Sequence, residues 1–142
     1  MFARDGGTRV NDMWPATILT KLPLPETLHL SWDQATQVSA IYCHQMVASA
    51  LGAILAQIHD AGLWHELEPY GGCYCWRAQR GGSRLSLHAW GAAVDFRVST
   101  CPLGEVGDMP AAIVEAFEHM GVQWGGRWKR RDDGHFQFAG GM

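Results

Sequence analysis

The stretch SLHAWGAAVDF, residues 86–96, puts His88 and Asp95 seven positions apart, with Gly91, Ala92 and Ala93 between them. On one continuous helix that separation is a rise of about 10.5 Å. On one continuous strand it spans about 23 Å and the two side chains point to opposite faces. Neither geometry brings both side chains to a common point at about 2 Å, the distance a metal ligand needs. They converge only if the chain reverses between them. Gly91 permits such a turn, and the two alanines let backbones approach closely. The spacing means a ligand pair only when AWGAA turns.

Two alternating segments extend this constraint. In AVDFRV (93–98), Val94, Phe96 and Val98 fall on one face and Asp95 and Arg97 on the other, the pattern of a half-buried strand. In HFQF (135–138), Phe136 and Phe138 face one side and His135 and Gln137 the other. If the two strands are neighbours in one sheet, Asp95 and His135 rise from its polar face while the phenylalanines anchor it below. A set of His88, Asp95 and His135 leaves a fourth position open for water, the layout of a catalytic rather than a structural zinc. The same ligand types also suit iron(II). Hydrolysis further needs a general base. Asp132, three residues before His135 in RDDGH, is the candidate, and Asp133 is its rival.

The rest of the chain frames this site. Its 142 residues fit one domain with one hydrophobic core. The 17 glycines favour a turn-rich α+β domain over a helical bundle. The net charge is -3 and no basic stripe is visible, so nucleic acid is not an expected partner. The opening MFARDGGTRV has no signal-peptide layout, and VASALGAILAQI (47–58) is too short to span a bilayer. The expectation is a soluble protein, cytoplasmic as synthesised. Cys43, Cys73, Cys75 and Cys101 include no C-x2-C pair, so a zinc ribbon is not supported. Reduced, structural cysteines are expected, with pairing of Cys101 to Cys73 or Cys75 left open.

Along the chain, residues 1–30 read as an extended arm and 31–142 as the folded domain. TKLPLPETLHL (20–30), with Pro23 and Pro25, reads as extended chain packed on a surface. Ser31 and Gln34 form a capping-box pattern ahead of a helix expected over 31–60, with Val47, Leu51, Ile54 and Ile58 on its apolar stripe. Ala40 and His44 fall on the same stripe, and His44 reads as a hydrogen-bonded core histidine. His29, His59, His65 and His119 have no metal-like neighbours in sequence and read as structural or surface residues. A second helix is expected over 109–120, with Ala112, Ile113, Ala116, Phe117 and Met120 inward and Gly121 ending it.

Together, GCYCWRAQRGGSRLSLHAWGAAVDF and WGGRWKRRDDGHFQF resemble the zinc D,D-peptidase family, the group of D-alanyl-D-alanine carboxypeptidases and L-alanyl-D-glutamate endopeptidases. The family pattern S-x-H-x-x-G-x-A-x-D, then a carboxylate, two residues and a histidine, reads here as Ser86, His88, Gly91, Ala93, Asp95, Asp132 and His135. The resemblance extends over roughly residues 31–139, and the G-C-Y lead-in and W-G-G-x-W resemble its phage endolysin branch. It implies the α+β zinc D,D-peptidase (hedgehog-like) fold, a small antiparallel sheet flanked by helices.

In roles, the resemblance implies Zn2+ on His88, Asp95 and His135, with Asp132 as general base. Ser86 would help hold substrate. An upstream arginine would polarise the scissile carbonyl; Arg77 is the assignment and Arg80 its rival. Trp124 and Trp128 either wall the cleft or belong to the core. Where many relatives carry an asparagine-containing loop after the metal aspartate, this chain has Phe96-Arg97-Val98. The implied substrate is the stem peptide of bacterial peptidoglycan, cut by a monomer that reaches the wall through phage-type release. The alternative is a zinc-containing module of the same fold that binds wall or partner without turnover.

Overall fold

The computed structural model describes residues 19–73 and 92–138. The first unit is a hairpin. Strand β1 (Leu19–His29) pairs antiparallel with β2 (Gln37–His44), from Leu19 opposite His44 to His29 opposite Gln37. The register shifts between Pro23 and Leu28, where two prolines cannot donate to the ladder. Residues 20–29 are thus extended, as the prolines suggested. The turn between the strands is tied by Thr36, whose N–H and hydroxyl both donate to Asp33.

The helix expected over 31–60 is a correction: its first half is this turn and β2. Helix α1 is Gln45–Asp60. The Ser31–Gln34 pattern caps no helix, because the Ser31 N–H donates to the Tyr70 carbonyl in a loop. Residues 37–44 carry Val38, Ile41 and Tyr42, side chains that suit a pleated, half-buried surface. His44 is not a core histidine on a helical stripe. It is the N-cap of α1, with Nδ1 accepting from the Met46 N–H at 3.0 Å. Beyond it the periodicity holds: Val47, Leu51, Ile54 and Ile58 are all buried. The helix stops where expected, at Ala61 and Gly62, the latter at φ 77°.

A single-turn 3-10 helix (Trp64–Leu67) follows, and its surroundings gather side chains that sequence separated. Glu26 lies 3.2 Å from both His59 and His65. Glu68 accepts from the His29 N–H at 2.8 Å and contacts the His29 ring at the same distance. These pairs link β1, the end of α1 and the 3-10 turn.

The second unit is a three-stranded antiparallel sheet in the order β3 (Ala93–Asp95), β5 (His135–Gln137), β4 (Gln123–Trp124). The strand expected over 93–98 ends at Asp95 because Arg97 takes φ 52° and turns its N–H to the Leu67 carbonyl. Helix α2 (Ala111–Glu118) is shorter than the expected 109–120, and its buried face is Ile113, Val114, Ala116 and Phe117. Ala112 and Met120 are exposed, a correction that rotates the helix by roughly one position. Phe117 stacks on Phe136 with ring centroids 4.0 Å apart, and Phe96 lies 6.1 Å from Phe117.

Segment 70–72 joins the two units. Tyr70 exchanges backbone bonds with His29 and Ser31, while Gly71 and Gly72 exchange them with both sides of Asp95. Leu28, Ile41, Leu51, Ile54, Leu55, Ile58, Leu67, Phe96, Ile113, Phe117 and Phe136 are fully buried in one continuous core. Cys43 and Cys101 are free and buried, and burial pushes the Cys43 thiol up to about 11, which keeps it protonated and unreactive. Among the described residues no helix is long and apolar enough to cross a membrane.

Candidate functional site

The two alternating segments are neighbours, and their register decides the site. Val94 sits opposite Phe136, and Asp95 opposite His135. A one-residue slip would send His135 into the core and Phe136 to the surface. Burial of a phenylalanine is worth about 1.5–3 kcal/mol, so the apolar side of the sheet holds the polar side in place. On that polar side Asp95 Oδ1 and His135 Nδ1 are 3.0 Å apart, with His135 only 7% exposed.

The hydrogen bonds around His135 fit a cation on this pair. Its Nε2 faces Gln137 Oε1 at 2.9 Å, and Gln137 Nε2 donates in turn to Gln123 Oε1 at 3.1 Å. With the Nε2 proton given to Gln137, a neutral ring turns the lone pair of Nδ1 toward the carboxylate of Asp95. Two lone pairs at that distance need a cation between them, either a proton or a metal. Two ligands about 2.0–2.1 Å from a tetrahedral ion lie about 3.3 Å apart, close to the spacing seen. An acceptor on the other ring nitrogen that fixes the ring this way is what a ligating histidine requires. Burial pulls the His135 pKa down; the hydrogen bond and charge of Asp95, with Gln137 and the charge of Asp132, outweigh it and leave the value raised.

Asp132, the candidate base, and Asp133, its rival, have different surroundings. Asp133 is 1% exposed and accepts from Arg131 Nε and Nη2 at 2.9 and 2.8 Å and from the Gly107 N–H at 2.9 Å. Burial raises its carboxyl pKa, but Arg131 and Gly107 more than offset that and hold it below the usual carboxylate range. Asp132 is half-buried, and its charge reaches His135. The three-residue spacing is a turn closed by the His135 N–H on the Asp132 carbonyl at 3.0 Å. Gly125 packs against that turn so tightly that a Cβ would stand 2.3 Å from the Asp132 carbonyl oxygen.

The two tryptophans part company. Trp124 donates its indole N–H to the Asp133 carbonyl at 2.8 Å and lies under Arg127 and Arg131, which makes it part of the framework. Trp128 is 37% exposed with its ring 5.2 Å from that of His135, at the rim of the polar pair. Trp128 also lines, with Glu118, Gln123, Trp124 and Arg127, a cavity of about 410 Å³ to which Asp95 and His135 do not contribute. On the other flank of Asp95, Gly72 and Cys73 line an apolar cleft of about 320 Å³ with Trp32, Tyr42 and Tyr70.

Arg77, Arg80, Ser86 and His88 lie outside the described residues, as do Ala89, Trp90 and Gly91 of the AWGAA segment expected to turn. Among the described residues no three potential ligands gather into a metal site. Sequence reasoning also passed over Gly71. A Cβ there would stand 2.9 Å from the Asp95 Cβ and 2.7 Å from Val98, so only glycine lets this segment pair with Asp95. The signal available was the glycine doublet in PYGG.

Residues 80–138 match the family described as D-alanyl-D-alanine carboxypeptidase. The matched stretch is narrower than the expected 31–139; it begins at Arg80, leaves out Arg77, and holds Ser86, His88, Asp95, Asp132 and His135. No curated protein and no solved structure matches the chain.

Proposed function

We propose, taking the similarity of residues 80–138 to the D-alanyl-D-alanine carboxypeptidases as premise, that the chain is a zinc metallopeptidase that cleaves stem peptides of bacterial peptidoglycan. The observation that carries this reading is the part-buried Asp95–His135 pair, 3.0 Å apart on adjacent strands within the matched stretch. His88 is the third ligand in this reading. Zinc, when bound, supplies Lewis acidity to water and to the scissile carbonyl.

The protein's own groups do the rest. Gln137 holds the His135 ring with Nδ1 turned to the metal side. Asp132 takes a proton from the attacking water and hands it to the leaving amine, and its half-buried place beside His135 supports that role. Asp133 is unsuited to it, because Arg131 and Gly107 already occupy its carboxylate. Arg77, with Arg80 as its rival, steadies the carbonyl oxygen. Ser86 and Trp128 contact the substrate; Trp124, tied to Asp133, supports the wall from behind. The bond cut is either the terminal D-Ala or L-Ala to D-Glu, in a monomer of endolysin type acting on the cell wall.

The test measures metal content and peptidoglycan digestion on the same preparations of wild type and Asp132→Ala, with products identified by mass. About one zinc in both, and released D-Ala or new amino termini from the wild type alone, is the expected result. Zinc in both with no digestion of several wall chemotypes by the wild type would instead make the chain a non-catalytic module. Iron in place of zinc would correct the metal.

A further inference from the structure

The departure Phe96-Arg97-Val98 after Asp95 begins a loop, residues 97–108, that is tied at both ends. Arg97 Nε and Nη2 donate to the two oxygens of Asp108 at 2.9 and 3.0 Å, and Nη1 reaches Glu66 Oε1 at 2.9 Å. The closed loop then meets the 131–135 turn twice. The Gly104 N–H donates to the Arg131 carbonyl at 2.6 Å, and the Gly107 N–H to Asp133 Oδ2 at 2.9 Å. Asp133 is therefore where three parts of the chain meet: the loop that follows Asp95, the guanidinium of Arg131, and β4 through the Trp124 indole.

We propose that Asp133, clamped by Arg131, is a positioning residue that holds Asp132 and His135 in place against Asp95. The inference rests on the zinc-peptidase reading of that site. Its physical basis is that the strands here are too short to do the work: β3 and β5 have 3 residues each and β4 has 2. The turn 132–134 lies outside the ladder, so its shape depends on ties from outside. With both carboxylate oxygens engaged, Asp133 cannot rotate outward without breaking both Arg131 bonds and leaving the Gly107 N–H without its acceptor, a costly change for a carboxylate that is itself buried. The pair also keeps the Arg131 guanidinium occupied. Released from Asp133, it has Asp132, its neighbour in sequence, as the next carboxylate to bind, which would take up the base.

Asp133→Asn, Arg131→Lys and Arg131→Gln, each loaded with zinc, test this. Zinc affinity is measured by chelator competition, kcat and KM on a soluble stem pentapeptide, and thermal unfolding on the same samples. Expected for Asp133→Asn is a kcat lower by about 10–100-fold and a zinc affinity weaker by about tenfold, with KM little changed. Arg131→Lys keeps the charge but not the two-pronged geometry, so it should fall between wild type and Arg131→Gln. A lowered unfolding temperature with kcat and zinc affinity unchanged would overturn the proposal and leave Asp133 as a stability residue. Should Asp133→Asn not fold, the two Arg131 variants decide alone, and unchanged kcat and zinc affinity in Arg131→Gln overturns it. A wild type without peptidase activity would sink the proposed function, while zinc affinity would still report on the clamp.

Discussion

The hairpin with α1 and the small sheet around Asp95 are held together in different ways. In the first, an 11-residue and an 8-residue strand pair on both sides of one register shift and a 16-residue helix buries Val47, Leu51, Ile54, Leu55 and Ile58 against them. Its polar ties, from Glu26 and Glu68 to three histidines, are largely on the surface. The second has strands of two or three residues, and its cohesion comes from stacked phenylalanines below and from side chains bound to distant backbone above. Area holds the one and specific contacts hold the other. Damage to the first should appear as lost stability, and damage to the second as lost chemistry.

The largest effect is expected at the second. His135→Ala removes a proposed metal ligand, so zinc should be lost and hydrolysis should drop by about 10³-fold or more on the zinc-peptidase reading. Metal analysis and digestion of purified peptidoglycan measure both; full zinc retention would show that the ligand set is wrong. Next comes Leu51→Ala in the middle of α1, fully buried in wild type. It should cost about 2–5 kcal/mol in denaturant unfolding. Activity per folded molecule should stay as it was. A kcat that fell along with stability would erase the distinction between the two regions.

The same contrast explains what could be read in advance. The site strands were legible because alternation in AVDF and HFQF sets Asp95 and His135 opposite the apolar residues, and burial of Val94 and Phe136 then enforces one register. The hairpin was misread because the helical spacing of 47–58 happens to continue through His44 and Ala40, while β2 depends on a partner strand whose residues lie outside any helical window, as far away as Leu19 opposite His44. The choice of Asp132 over Asp133 rested on the D-x-x-H spacing and the family resemblance, and the surroundings of the two carboxylates were out of reach for a similar reason. The two are identical side by side, and what separates them is the N–H of Gly107, 26 residues earlier. Nor could spacing join His29, His59 and His65 to Glu26 and Glu68, since three elements must first pack together.

The smallest effect belongs to that surface cluster. Burial raises the Glu68 pKa, but bonds from the His29 N–H and ring, with the charges of His29 and His65, lower it further, so the net shift is downward. A carboxylate with a lowered folded pKa contributes stability above its unfolded value, about 4.3, and loses that contribution as pH falls through the folded value. Glu68→Gln should therefore unfold at a lower temperature than wild type near pH 5, and the two curves should converge on acidification. Because the pairs are partly solvated, the difference should be below about 1 kcal/mol. Activity should be untouched, since Glu68 acts on β1 and the 3-10 turn rather than on Asp95. A gap that persisted at low pH would mean the glutamate stabilises by packing and not by charge. A change in kcat would mean that segment 68–72, which runs from Glu68 to the backbone of Asp95, carries strain from the hairpin into the site.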